Sequence, residues 1–121
     1  MGEAAMRCLI VDDSVQFRTA ASAMLERAGM TVDVASDSAE ALRCYQAHQP
    51  DVTLVDIDLG AESGFDLAEQ LHETAPPGTP VILISTHAEQ DLADMIAASS
   101  AVGFLPKIAL SPDAIHSLLD V

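Results

Sequence analysis

Val52-Thr53-Leu54-Val55-Asp56-Ile57-Asp58 is an apolar run of strand length that ends abruptly in a carboxylate. Its β-branched and aliphatic residues favour an extended strand buried on both faces, as in the middle of a parallel sheet. Leu59-Gly60-Ala61-Glu62-Ser63-Gly64 then reads as a loop. Asp56 is therefore expected where a strand leaves the sheet, the usual place for a site in an open α/β fold. Taken alone, it is more simply a surface aspartate closing a strand. Three other apolar runs also end in polar or charged residues of related chemistry, and that recurrence favours a site.

Upstream, Cys8-Leu9-Ile10-Val11 is a short buried strand ending in Asp12-Asp13. Ser14 to Ala28 shows helical spacing, with Val15, Met24, Leu25 and Ala28 near one face, Phe17 and Ala21 flanking it, and Gly29 as a left-handed stop. Thr31 to Ala35 alternates as a strand does. Ser36, Asp37 and Glu40 resemble a capping pattern; the helix they start carries Ala41, Leu42 and Tyr45 inward and stops before Pro50.

Downstream, Gly64 to His72 is a helix with Leu67 and Leu71 four apart, closed by Pro76-Pro77-Gly78. Val81 to Ile84 is a fourth strand ending in Ser85-Thr86-His87, and Leu92, Met95 and Ile96 mark the next helix. Ala101 to Leu105 is a fifth strand leading to Pro106-Lys107. Ser111-Pro112 is an N-cap followed by proline at the first helical position, with Ile115, Leu118 and Leu119 inward.

Strand and helix alternate five times without a repeat or a linker. Right-handed crossovers between such units give a doubly wound parallel sheet with helices on both faces. By analogy we adopt the flavodoxin-like strand order 2-1-3-4-5, written (βα)5. That order brings Asp12, Asp13 and Asp56 to one crevice, with Ser85 and Lys107 at the next two strand ends.

The 121 residues are expected to form a single domain, with residues 1–6 as a flexible lead. Half of the residues are hydrophobic and only 3% aromatic, so the core is built from aliphatic side chains. A formal net charge of −14 repels phosphate backbones and anionic lipid, which argues against direct binding of nucleic acid or membrane. Most of that acidity is plain solubility. Cys8 and Cys44 match no metal or redox spacing and read as reduced core residues. No signal-peptide pattern and no membrane-length apolar run is present, so a cytoplasmic location is expected.

Three carboxylates about 4 Å apart repel by roughly 4 kcal/mol per pair at an effective dielectric near ~20. They need protons or a cation. Oxygen-only donors select a hard metal, and Mg²⁺ suits a few carboxylates plus waters and a phosphate. A carboxylate beside such an ion can attack phosphorus and form an acyl phosphate. The Ser85 hydroxyl and the ammonium of Lys107, the sole lysine, could hold phosphoryl oxygens. Each residue singly has a blander role: Asp12-Asp13 as helix cap, Ser85 as a strand-end hydroxyl, Lys107 as a surface charge. Their shared placement at strand ends outweighs those roles.

Leu9 to Ser14, the strand ending in Asp56 with Gly64 after it, Pro80 to Ser85, and Gly103 to Lys107 together resemble the receiver (CheY-like) domain of bacterial two-component response regulators. The resemblance spans essentially the whole chain. It implies that Asp56 accepts a phosphoryl group from a sensor histidine kinase or phosphotransfer protein. It also implies that Asp12, Asp13, Asp56 and the Asp58 backbone carbonyl hold Mg²⁺, and that Ser85 and Lys107 grip the phosphoryl group. Phe104 matches the family's switch aromatic, whose ring turns inward with Ser85; a resting core aromatic describes it equally well. The implied readout is the face of the fourth helix, fifth strand and fifth helix, toward an unknown downstream protein or output domain, with a phosphorylation-linked homodimer also open.

Several positions depart from the family pattern. Gly60 stands where many receivers have proline, which is expected to loosen the loop. Ile108 follows Lys107 in place of a common proline. Asp58, Thr86 and His87 flank the phosphoryl position and are expected to tune phosphate lifetime. The Phe-Leu-Pro-Lys ending is similar to receivers of LuxR-type regulators, and both a stand-alone receiver and the first domain of such a regulator fit the sequence.

Two rival readings fit the sequence less well. Asp56-Ile57-Asp58 resembles the first motif of haloacid-dehalogenase-type phosphatases, but that family places it on the first strand and its acidic pair later. A non-phosphorylated adaptor on the same fold has no need to keep repelling carboxylates together.

Overall fold

The computed structural model describes residues 6–74, 80–87 and 89–119. Five parallel strands, β1 (Arg7–Val11), β2 (Thr31–Ala35), β3 (Val52–Asp56), β4 (Val81–Ser85) and β5 (Gly103–Pro106), lie in the order β2-β1-β3-β4-β5. This is the flavodoxin-like order expected from the sequence. Five helices alternate with them: α1 (Val15–Arg27), α2 (Ser38–His48), α3 (Gly64–Thr74), α4 (Ala93–Ala98) and α5 (Pro112–Leu119).

Period-two alternation along the strands divides the core in two. Leu9, Val11, Val55 and Leu83 point to one face, where they meet Ala41 and Tyr45 of α2 and Leu67 and Leu71 of α3. Cys8, Ile10, Leu54, Ile82 and Ile84 point to the other, against Ala21 and Leu25 of α1 and Ile115 of α5. Burial pushes the Cys8 thiol up to about 12, with Asp33 adding to the effect, which keeps it an inert core residue. Cys44 is only partly buried.

Side-chain caps fix three of the helix starts. Ser14 Oγ accepts from Phe17 N, Asp37 Oδ1 from Glu40 N, and Ser111 Oγ from Ala114 N. Glu40 reaches back to Ser36, whose backbone N–H and hydroxyl both donate to Oε1. Those bonds hold the Glu40 carboxyl below its usual range.

Four details differ from the sequence reading. First, the buried stripe of α1 runs through Ala21 and Leu25 with Phe17 and Met24 beside it, while Val15 and Ala28 are exposed at the helix ends. Second, the fifth strand begins at Gly103, not Ala101, because its ladder starts at Ile82 opposite Gly103; Val102 lies outside it. It also runs through Pro106, which an edge strand tolerates. Third, Leu92 and Ile96 pack against the core only partly, Met95 is exposed, and α4 buries no residue fully. Fourth, the loop after Asp56 is a tight hairpin rather than a loose segment. Asp58–Leu59 pairs antiparallel with Glu62–Ser63, and Gly60 adopts φ +70° at its tip, a conformation closed to proline.

Pro76-Pro77-Gly78 and residues 1–5 of the expected lead lie outside the described residues. Met6 packs beside the α1 side of the core, and its carbonyl accepts from Thr31 N at 2.9 Å. Among the described residues no helix is long and apolar enough to cross a membrane.

Candidate functional site

The candidate site lies at the carboxyl ends of four neighbouring strands. Asp12 and Asp13 follow β1, Asp56 ends β3, Ser85 ends β4, and Lys107 follows β5. Asp12 and Asp56 are buried, and Asp13 is exposed at the rim. One carboxylate oxygen from each of the three lies within 4.8 Å of the others.

Lys107 neutralises part of this cluster. Its Nζ is 2.6 Å from Asp12 Oδ2 and 3.2 Å from Asp56 Oδ2. The Asp56 contact is a hydrogen bond, whereas Asp12 Oδ2 is buried without an aligned donor. Asp12 Oδ1 accepts from Ser14 N at 2.8 Å, and Asp56 Oδ1 accepts from Asp58 N at 3.2 Å. Arg18 Nη1 donates to the Asp12 carbonyl at 2.6 Å and holds that corner of the backbone.

Burial, followed by the Asp12 charge, raises the Asp56 carboxyl to about 6; the Asp58 N–H and Lys107 oppose that rise. Burial pulls Lys107 down, but the Asp12 and Asp56 carboxylates more than reverse it, so the ammonium is held charged. Three acids sharing one lysine leave an excess of negative charge. The oxygen-only donor set and the unaligned Asp12 Oδ2 fit a hard divalent cation.

Ser85 is buried, and its Oγ accepts from His87 N at 2.9 Å. Ser85, Thr86, His87, Pro106, Lys107 and Ile108 line a cleft of about 330 Å³. Asp58, Thr86 and His87 are exposed. Phe104 is already inward, in the core on the α2 and α3 side of the sheet.

The sequence reading missed two side chains of this constellation, Arg18 and Phe17. Lys107 Nζ stands 4.5 Å from the centroid of the Phe17 ring. Phe17 had been read only as a flank of the apolar stripe. Its place four residues after Asp13, on the first turn of α1, was the available signal.

Comparison with known proteins gives the family. Residues 8–120 match the response regulator receiver domain. The chain belongs to the response regulator receiver family.

The receiver is 32% identical to "Probable transcriptional regulatory protein NarL" of Mycobacterium tuberculosis, over 95% of this chain and 54% of that one. It spans about half the length, or less, of the curated relatives it matches. Its fold superposes on the Vibrio cholerae chemotaxis protein CheY4 with TM-score 0.83 and 28% identity, covering 97% of this chain and 98% of that one. A response regulator from Burkholderia pseudomallei, solved with a phosphorylated aspartic acid, calcium ion and citrate, gives TM-score 0.83 and 26% identity, over 93% of this chain and 66% of that one. The phosphatase reading is not supported: the receiver match and the topology both put Asp56-Ile57-Asp58 at the end of the third strand, after the acidic pair.

Proposed function

We propose that Asp56 is the phosphoacceptor of this receiver and that the described elements act as one phosphorylation-driven switch. The observation that carries the reading is the Lys107 ammonium lying between the Asp12 and Asp56 carboxylates, with Asp13 close enough for all three acids to share a cation. Asp12, Asp13, Asp56 and the Asp58 backbone carbonyl would hold Mg²⁺, which would supply charge neutralisation for the acids and the phosphoryl oxygens.

An Asp56 carboxylate oxygen attacks phosphorus and an O–P bond forms. The P–N bond to a histidine of a sensor kinase or phosphotransfer protein breaks, and its electron pair leaves with the imidazole. Lys107 turns from Asp56 Oδ2 to a phosphoryl oxygen. Ser85 Oγ accepts from His87 N, which leaves its own proton free to donate to another. Movement of Ser85, with the Phe104 ring of β5 packed in the core, biases the face of α4, β5 and α5 toward its active arrangement. Asp58, Thr86 and His87 set how readily water reaches the acyl phosphate.

On this reading the chain catalyses only its own phosphorylation and dephosphorylation. It works in the cytoplasm and passes its state to a downstream protein, an output domain or a second copy.

Incubation with acetyl phosphate and Mg²⁺, followed by intact mass, tests the reading. A single phosphoryl adduct is expected on the wild type and none on Asp56→Asn or in the presence of a chelator. An adduct that survives Asp56→Asn would overturn it.

A further inference from the structure

Lys107 has a third neighbour that charge pairing does not explain. Its ammonium faces two carboxylates and, at 4.5 Å, the Phe17 ring. The lysine side chain is only 14% exposed, and the Phe17 ring is one of the groups that stand around its charge. The ring itself is fixed from the same turn that presents the acids. Asp12 Oδ1 accepts from Ser14 N, Ser14 Oγ accepts from Phe17 N, and Phe17 is half-buried beside the α1 side of the core.

We propose that Phe17 is a positioning residue for phosphoryl transfer, its ring face steering the Lys107 ammonium between Asp56 and the incoming phosphoryl group. The proposal rests on the reading of Asp56 as phosphoacceptor. The physical reason lies in the different directionality of the two kinds of contact. A carboxylate hydrogen bond weakens steeply as its angle departs from linear. A cation above an aromatic face is attracted by the ring quadrupole over a broad patch, and more strongly where water is excluded. The ammonium can therefore swing from Asp56 Oδ2 to a phosphoryl oxygen while the ring contact persists and no water enters to replace the lost bond. An aliphatic side chain of similar size fills the same space but offers no such attraction.

Two measurements test this. Lys107 is the sole lysine, so a sample labelled only in lysine gives one ε-methylene signal. In the wild type that signal is expected upfield of a solvated lysine because the ring current acts on it, and in Phe17→Leu it returns to the ordinary position. In the kinetic arm, Phe17→Leu is expected to slow adduct formation from acetyl phosphate roughly threefold to thirtyfold, with Phe17→Trp restoring it. Within a Lys107→Met background, Phe17→Leu should add less than about twofold, since the partner it acts through is gone. An unshifted ε-methylene signal, a Phe17→Leu variant at the wild-type rate, or an equal loss in both backgrounds would overturn the positioning role. A wild type that takes up no phosphoryl group, with the lysine signal still shifted, would instead overturn the phosphoacceptor reading while leaving the ring contact in place.

Discussion

At the scale of single residues, Asp56 is costly to keep charged in the folded chain. It sits in the sheet beside Asp12, and its carboxyl is raised from the ordinary 3.8 to about 6. A group whose pKa is higher folded than unfolded contributes stability that is complete below the unfolded value and is lost as pH rises through the folded one. In metal-free protein the loss therefore falls between about pH 4 and pH 7, and it amounts to roughly 3 kcal/mol at about 1.4 kcal/mol per pH unit. Asp56→Asn should make the chelator-treated protein more stable than wild type at pH 8, with the difference shrinking toward pH 4. Urea denaturation at the two pH values checks this, and a wild type that remains the more stable at pH 8 would contradict it. On the proposed reading that the folded acids of the wild type hold Mg²⁺, adding it should narrow the gap at pH 8. Asp12, Asp13, Asp56, Ser85 and Lys107 were legible in the sequence because each ends a strong apolar run. Phe17 was not, since an aromatic on the apolar side of a helix looks the same whether it touches only aliphatic neighbours or a cation.

At the scale of elements, the junction of β3 with α3 is closely packed backbone on backbone. A Cβ on Gly64 would lie 2.7 Å from Ile57 Cα and closer still to the Asp56 carbonyl oxygen, both of them backbone atoms. Gly64 N also donates to the Ile57 carbonyl at 2.8 Å, which pins the first turn of α3 against the exit of β3. Gly64→Ala is expected to cost about 3 kcal/mol or more, because only backbone movement relieves the clash. Thermal unfolding of the variant, compared with an exposed alanine substitution on α3, measures it. The long elements were legible from periodicity and caps. The short hairpin from Asp58 to Ser63 was not, since two-residue strands have no period to detect and the turn depends on the positive φ of Gly60. The start of β5 was misplaced for a related reason: Ala101 and Val102 are apolar, yet they precede the ladder that β4 offers.

At the scale of the whole molecule, five parallel strands separate two apolar layers, and the helices share in them unequally. The doubly wound parallel sheet was legible from the alternation of strands and helices, whereas the strand order came by analogy with the flavodoxin-like case. The sharing among helices was not, because Leu92, Met95 and Ile96 look as apolar on paper as the residues of α3. In the folded chain α3 buries Leu67, Ala68 and Leu71 completely, whereas no residue of the six-residue α4 is fully buried. Glu69 of α3 braces the segment after α4 instead, accepting from Ser100 N and Ser100 Oγ, and those bonds hold its carboxyl below the usual range. Opening free energies are therefore expected to be steeply graded across the receiver. Backbone amides of Ala93 to Ala98 should exchange with deuterium well before those of β1, β3 and β4, and exchange into the native protein read out on peptic fragments would show it. A helix with so little to lose on detaching can be re-seated by a small free-energy change elsewhere, so the most weakly anchored of the described helices is also the cheapest to move.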